Sequence, residues 1–151
     1  MSQKPFIPSP GQIDYTHARF APVINCVLRH DGKILLVRRS DNMHFYPGYW
    51  NGVSGFLDDK RSFEEKVKDE LNEELGMEAK NIIAITRGPI FHREEPEYEK
   101  TWIVHPVLVD VATDSVTLDW EASEYRWIDP SEARALPLLP GFETVLASFF
   151  S

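Results

Sequence analysis

The chain has 151 residues, 42% of them hydrophobic and 26% charged, with a net charge of −8. That length and balance read as one soluble globular domain with enough chain to bury a core, and the acidic surplus excludes a general nucleic-acid or membrane surface. No apolar run approaches the ~18 residues of a membrane span and no signal-peptide core opens the chain; the sole cysteine, Cys26, excludes an internal disulfide and suits a reducing cytoplasm.

Residues 1–19 carry Pro5, Pro8, Pro10 and Gly11 with little periodicity and read as an irregular arm, leaving 20–151 as the domain proper. Residues 20–29 and 33–39 are β-branched runs joined through His30-Asp31-Gly32, and Asp-Gly between two such runs signals a hairpin. Cys26, among Val23, Ile24, Val27 and Leu28, reads as a buried structural thiol. Arg38 and Arg39 close the second run, and strand alternation sends them to opposite faces, so that one can point at an anionic substrate. Residues 40–48 form a loop rich in aromatic and polar side chains, and 49–55 read as a short strand.

A helix follows. Ser62 with Glu65 three residues on is a capping-box signature, and Gly76 stands where a left-handed residue would end the helix. Phe63, Val67, Leu71 and Leu75 make an apolar stripe at i, i+4 spacing; Lys66, Lys68, Asp69 and Asn72 read as the solvated face. Glu70 and Glu74 fall on the edge of the stripe, with Glu73 beside them. Carboxylates stacked at i, i+4 repel, and partial burial raises their pKa values. A hard divalent cation such as Mg²⁺ relieves both problems and brings waters and a substrate phosphate with it.

Past the helix, residues 81–91 read as a strand, 92–100 as a polar loop, 101–112 as the longest strand, and 115–118 and 125–128 as shorter ones. Residues 130–135 begin a helical turn. Phe142, Val145, Leu146, Phe149 and Phe150 recur at the spacing of a core-facing helix. Strands with helices at two separated points predict an α/β fold, a mixed sheet between helical layers.

The string from Gly55 to Met77 resembles the Nudix box, G-x5-E-x7-R-E-U-x-E-E-x-G-U with U apolar, through Gly55, Glu70, Leu71, Glu73, Glu74, Gly76 and Met77. Arg61 stands where the pattern has Glu and Asp69 where it has Arg, so both charges are reversed at unchanged spacing; an ion pair kept with its ends exchanged is the expectation. The resemblance implies a MutT-like α/β/α sandwich and hydrolysis of a diphosphate bond in a nucleoside diphosphate linked to another group, on a small nucleotide-derived substrate. It implies Mg²⁺, with Mn²⁺ as the alternative ion, held by Glu70, Glu74, Glu73 and the carbonyl of Gly55, with Glu73 and Glu74 catalytic. Family members are often dimers, so a homodimer is a further expectation. Arg39 matches the position of a phosphate-binding Arg in related hydrolases; Arg87 and Arg93 are further cations.

The general base is open between Glu73 and the 92–100 segment, where His92 has the ordinary pKa of a base working near neutrality. His105, inside an apolar strand, reads as structural. Trp50, Trp102, Trp120, Tyr125 and Trp127 serve either the core or the stacking of a base. Two other readings stand beside the hydrolase: a Nudix-fold nucleotide-binding module without turnover, and an isopentenyl-diphosphate-isomerase-like enzyme, whose chemistry needs a catalytic cysteine and would fall to Cys26.

Overall fold

A computed structural model describes residues 10–15 and 18–150 of the chain. Eight strands form one mixed sheet: β1 (Phe20–His30), β2 (Lys33–Arg39), β3 (Trp50–Asn51), β4 (Val53–Phe56), β5 (Ile82–Arg87), β6 (Phe91–Glu95), β7 (Lys100–Val111) and β8 (Ala122–Ile128). Its spine is the parallel pair β1–β7, running in register from Phe20–Thr101 to Arg29–Asp110; the other pairings are antiparallel. The sheet forks around that spine. β1 pairs with β4 through Val23–Cys26 and with β2 only at its far end, while β7 pairs with β6 along its first half and with β5 along its second.

Each face of the sheet carries a core. Helix α1 (Phe63–Leu75) lays Val67, Leu71 and Leu75 on Ile24, Cys26, Leu28, Val107 and Val109; on the opposite face α2 (Phe142–Ala147) lays Phe142, Val145 and Leu146 on Val27, Ile34, Leu36 and Leu108. Period-two alternation in β1 and β2 sorts these residues between the layers, and each fully buried apolar side chain contributes about 1.5–3 kcal/mol. The α/β/α arrangement is therefore as the sequence reads.

The local signals hold at the hairpin and the helix. Asp31 and Gly32 both have positive φ, as a two-residue turn matched to strand twist requires. Ser62 and Glu65 form the reciprocal capping box, and Gly76 ends α1 in the left-handed conformation.

Four stretches differ from the sequence reading. The strand expected over 49–55 is split into β3 and β4 at Gly52, where a Cβ would stand 2.4 Å from the Cys26 carbonyl oxygen. The strand expected over 81–91 breaks after Arg87, at Gly88-Pro89, where proline offers no N–H to a ladder. The polar loop expected over 92–100 instead begins as strand β6 and turns at Pro96–Tyr98; Phe91, Arg93 and Glu95 are half-buried on one side while His92 and Glu94 are exposed on the other. No strand forms over 115–118. Thr117 N–H bonds the Leu75 carbonyl at 2.9 Å and Asp119 N–H the Glu74 carbonyl at 3.3 Å, so the segment serves the orphan carbonyls of α1 rather than the sheet.

Of the expected arm, residues 1–9, 16 and 17 lie outside the described residues. The part that is described runs along the loop after β4: Ile13 N–H donates to the Asp58 carbonyl, and Tyr15 stacks on Phe56.

Candidate active site

β4, α1, the end of β2 and the segment before β8 meet where the sheet forks. Gly55 gives the carboxylate room: a Cβ there would lie 2.6 Å from the Glu70 carboxyl carbon, so any other residue would displace it. Glu70 and Glu74, one turn apart on α1, both turn to this point. The docking of Thr117 and Asp119 on the end of the helix carries Asp119 and Glu121 over Glu74.

The result is a knot of like charge. Burial, then Glu121, Glu70 and Asp119, push the Glu74 carboxyl well above the usual carboxylate range. Its Oε2 is buried and has no hydrogen-bond partner. Burial, with Asp119 and Glu70, pushes Glu121 up to about 7, although the Arg39 guanidinium opposes the shift. Glu73, more exposed, is raised by burial and by Glu70.

Two cations border the knot. Arg39 is partly buried; its Nε–H donates to the Phe45 carbonyl at 2.9 Å, and its guanidinium lies in the field of Glu121 and Glu74. Burial lowers its pKa, but an arginine stays charged. Arg38 points the other way, to Ser123, as alternation requires. The second cation is Lys66, and here the sequence reading is corrected. Lys66 is not on a solvated face but 4% exposed, donating to Asp58 Oδ1 at 3.0 Å and paired with Glu70 Oε1 at 3.2 Å. Standing four residues before Glu70, it shares the carboxylate's own edge of the helix.

Among the described residues no three His, Cys, Asp or Glu side chains already close on one point, and Glu70 Oε1 is turned to Lys66. The donor set nevertheless fits a hard divalent cation. It consists of carboxylate oxygens, and Glu74 Oε2 is an orphaned acceptor in a place where a bare charge is costly.

The structure thus gathers Glu70, Glu74, Gly55 and Arg39, with Glu73 at the rim. It does not bring His92 to them: His92 lies in β6, opposite Ile103, with β7 and β1 between it and β4. His105 packs half-buried against Phe63, and Cys26 is fully buried. Trp50 belongs to the core, whereas Trp120 is 59% exposed beside Glu121.

The NUDIX domain family model matches residues 19–149. The chain belongs to that family. The isopentenyl-diphosphate Delta-isomerase of Kocuria rhizophila is 31% identical over 112 residues, 70% of this chain and 60% of that protein. The NAD-capped RNA hydrolase NudC of Chromobacterium violaceum is 35% identical over 75 residues, 50% of this chain but only 26% of NudC. The match therefore spans less than two thirds of either relative. The crystal structure of a MutT NUDIX hydrolase from Burkholderia pseudomallei superposes with a TM-score of 0.74 at 18% identity, covering 87% of this chain and 98% of that one, and shares the fold.

Within the Nudix box the reversed pair is real. Arg61 Nη1 donates to Asp69 Oδ2 at 2.8 Å, so loop and helix stay tied with the charges exchanged. Arg61 also grips Asp59 through Nε and Nη2, and these bonds draw the Asp59 carboxyl down to about 2. Asp119 and Glu121 lie outside the box, and sequence reading missed them as site residues. Their only signal is a pair of acids flanking an exposed Trp just before a strand, and no helical spacing ties them to Glu74.

Proposed function

We propose that this Nudix chain hydrolyses a diphosphate bond in a nucleoside diphosphate linked to another group, by attack of water at phosphorus, with residues 20–151 as the working unit. The observation that carries the reading is the half-buried Glu74, set against Glu70 and Glu121, with its Oε2 out of solvent and unpartnered, and facing Arg39.

Glu70 and Glu74 are the principal ligands of a divalent ion, Mg²⁺ or Mn²⁺, with the Gly55 carbonyl and Glu73 completing the protein's share. A bound divalent ion supplies charge neutralisation for the diphosphate and acidifies a water. Arg39 donates to a phosphate oxygen and orients the substrate at the fork of the sheet. Glu121 takes a proton from the attacking water, the part of a carboxylate that stands beside Glu74 and opposite Arg39. That geometry favours Glu121 over His92 as the base. Trp120, exposed at the rim, is the aromatic best placed to meet a base.

The test is product release from nucleoside triphosphates, nucleoside diphosphate sugars, dinucleoside polyphosphates and ADP-ribose, with Mg²⁺ and with EDTA. Metal-dependent cleavage abolished in Glu74→Gln supports the hydrolase and names its substrate class. Nucleotide binding with no cleavage would favour the binding module instead. In the same assays Glu121→Gln should lower kcat far more than His92→Ala; the reverse order would return the role to His92.

The isomerase reading has one observation in its favour, the identity to the Kocuria protein. Against it, Cys26 is 0% exposed, and burial followed by the fields of Glu74 and Glu70 pushes its thiol well up. A buried thiol of that kind makes neither a nucleophile nor an acid for substrate. Isomerisation of isopentenyl diphosphate, lost in Cys26→Ala, is the result that would reinstate it.

A further inference from the structure

Lysine is almost never fully buried unless paired, and Lys66 is paired twice. Its ammonium sits between Asp58 and Glu70, at 3.0 Å and 3.2 Å. Asp58 is itself only 5% exposed and is held from its other side by the N-terminal segment. Gln12 Nε2 donates to Asp58 Oδ2 at 2.7 Å, and Ile13 N–H donates to the Asp58 carbonyl at 2.5 Å. A line of contacts therefore runs from residues 12–13 through Asp58 and Lys66 to Glu70. The Glu70 carboxylate fills the space that a side chain at position 55 would take, so it lies against the Gly55 backbone. Between the glycine and the lysine, Glu70 has little freedom left, and one of its oxygens is already engaged.

Resting on the reading of Glu70 as a metal ligand, we propose that Lys66 is a positioning residue: it clamps Glu70 by Oε1 so that Oε2 is presented to the divalent ion, and residues 12–13 set the clamp through Asp58. Partners that orient a ligating carboxylate typically hold about 10–100-fold of metal affinity. A mere field effect has the opposite sign, since a positive charge beside the site weakens cation binding and its removal would tighten it.

The double variant Asp58→Asn/Lys66→Met removes the clamp while conserving net charge, so it isolates position from field. Mn²⁺ affinity of the full chain, read by titration calorimetry or by the spin resonance of free Mn²⁺, is expected to fall about tenfold, with a melting transition retained in EDTA. Gln12→Ala loosens the outer end of the line and leaves the buried pair intact; a smaller loss of the same sign is expected. A double variant that binds Mn²⁺ as tightly as the unaltered chain, or more tightly, overturns the clamp. Should that variant show no melting transition, the Gln12→Ala value decides, and unchanged affinity there overturns the proposal. Glu70→Gln runs alongside: if it leaves Mn²⁺ affinity unchanged, the ligand reading itself falls, whereas a loss there with an intact double variant condemns the clamp alone.

Discussion

The two ends of α1 handle charge in opposite ways. Around its first turns charges are matched: Arg61 bridges Asp59 and Asp69, Glu65 closes the capping box on Ser62, and Arg87 reaches Glu64 while lying over the Phe63 ring. Toward its far end Glu74 is half-buried against Glu70, Glu121 and Asp119, and its Oε2 is out of solvent with no partner. Lys66 marks the border between the two regimes. Both ends are acidic, so charge content alone would not tell them apart. What separates a site from a surface here is charge left unmatched in a place where matching was one residue away.

Cutting the border is expected to have the largest effect. Lys66→Ala leaves the Asp58 charge buried without its counter-ion, held by Gln12 alone among side chains, and should cost about 3–5 kcal/mol in a denaturant titration in EDTA. A loss below about 1 kcal/mol would mean that Asp58 finds water once the lysine is gone. Next comes Glu74→Gln, which should cut metal-dependent turnover by at least about 100-fold. The same change should raise the melting temperature in EDTA, because it removes the unmatched charge. Activity and metal-free stability moving in opposite directions is the signature of a functional cluster; a variant that loses both would assign Glu74 to structure.

A third effect is pH-dependent. Glu74 and Glu121 have folded-state pKa values raised above those of the unfolded chain. Their contribution to stability is therefore complete below the unfolded value of about 4.3 and is lost as pH rises through the folded one, which for Glu121 is about 7. Metal-free protein should melt lower at pH 8 than at pH 5.5, and the gain on adding Mg²⁺ should be larger at pH 8. Equal gains at both values would mean that the ion does not bind these carboxylates. The smallest effect belongs to the matched end. Arg61→Glu or Asp69→Arg alone should cost about 1 kcal/mol, since the pair is half exposed, and the double exchange should recover part of that. Additive losses would show that Arg61 serves Asp59 alone.

Much of this comparison was legible in the sequence, for physical reasons. The helix, its caps and the Glu70–Glu74 edge follow from local spacing, and the reversed Arg61–Asp69 pair follows because both residues sit in one loop-helix unit. Lys66 was misjudged although its position is also local. Polarity points to exposure at this position, but the i, i+4 relation to Glu70 is the stronger constraint. Glu121 and Asp119 could not be reached this way. They meet Glu74 only because Thr117 and Asp119 N–H groups dock on the end of α1, a tertiary event with no periodicity to announce it. His92 shows the converse: chemistry read from a residue type, without the strand order that separates it from Glu70.

The parallel pairing of β1 with β7 also bears on how the molecule forms. Its register joins partners such as Arg29 and Asp110, 81 positions apart, and their ion pair closes the far end of the ladder at 2.7 Å. Contacts of that separation demand the closure of a long loop before any of them is rewarded, which places such chains among slow folders. Arg39, Gly55 and the α1 carboxylates all precede β7 in the chain, and Glu121 follows it. During synthesis the box helix is therefore made well before the strand that fixes the sheet beneath it. The carboxylate knot can close only once the chain has emerged past Glu121, so the helix that carries Glu70 and Glu74 waits for a segment made after β7.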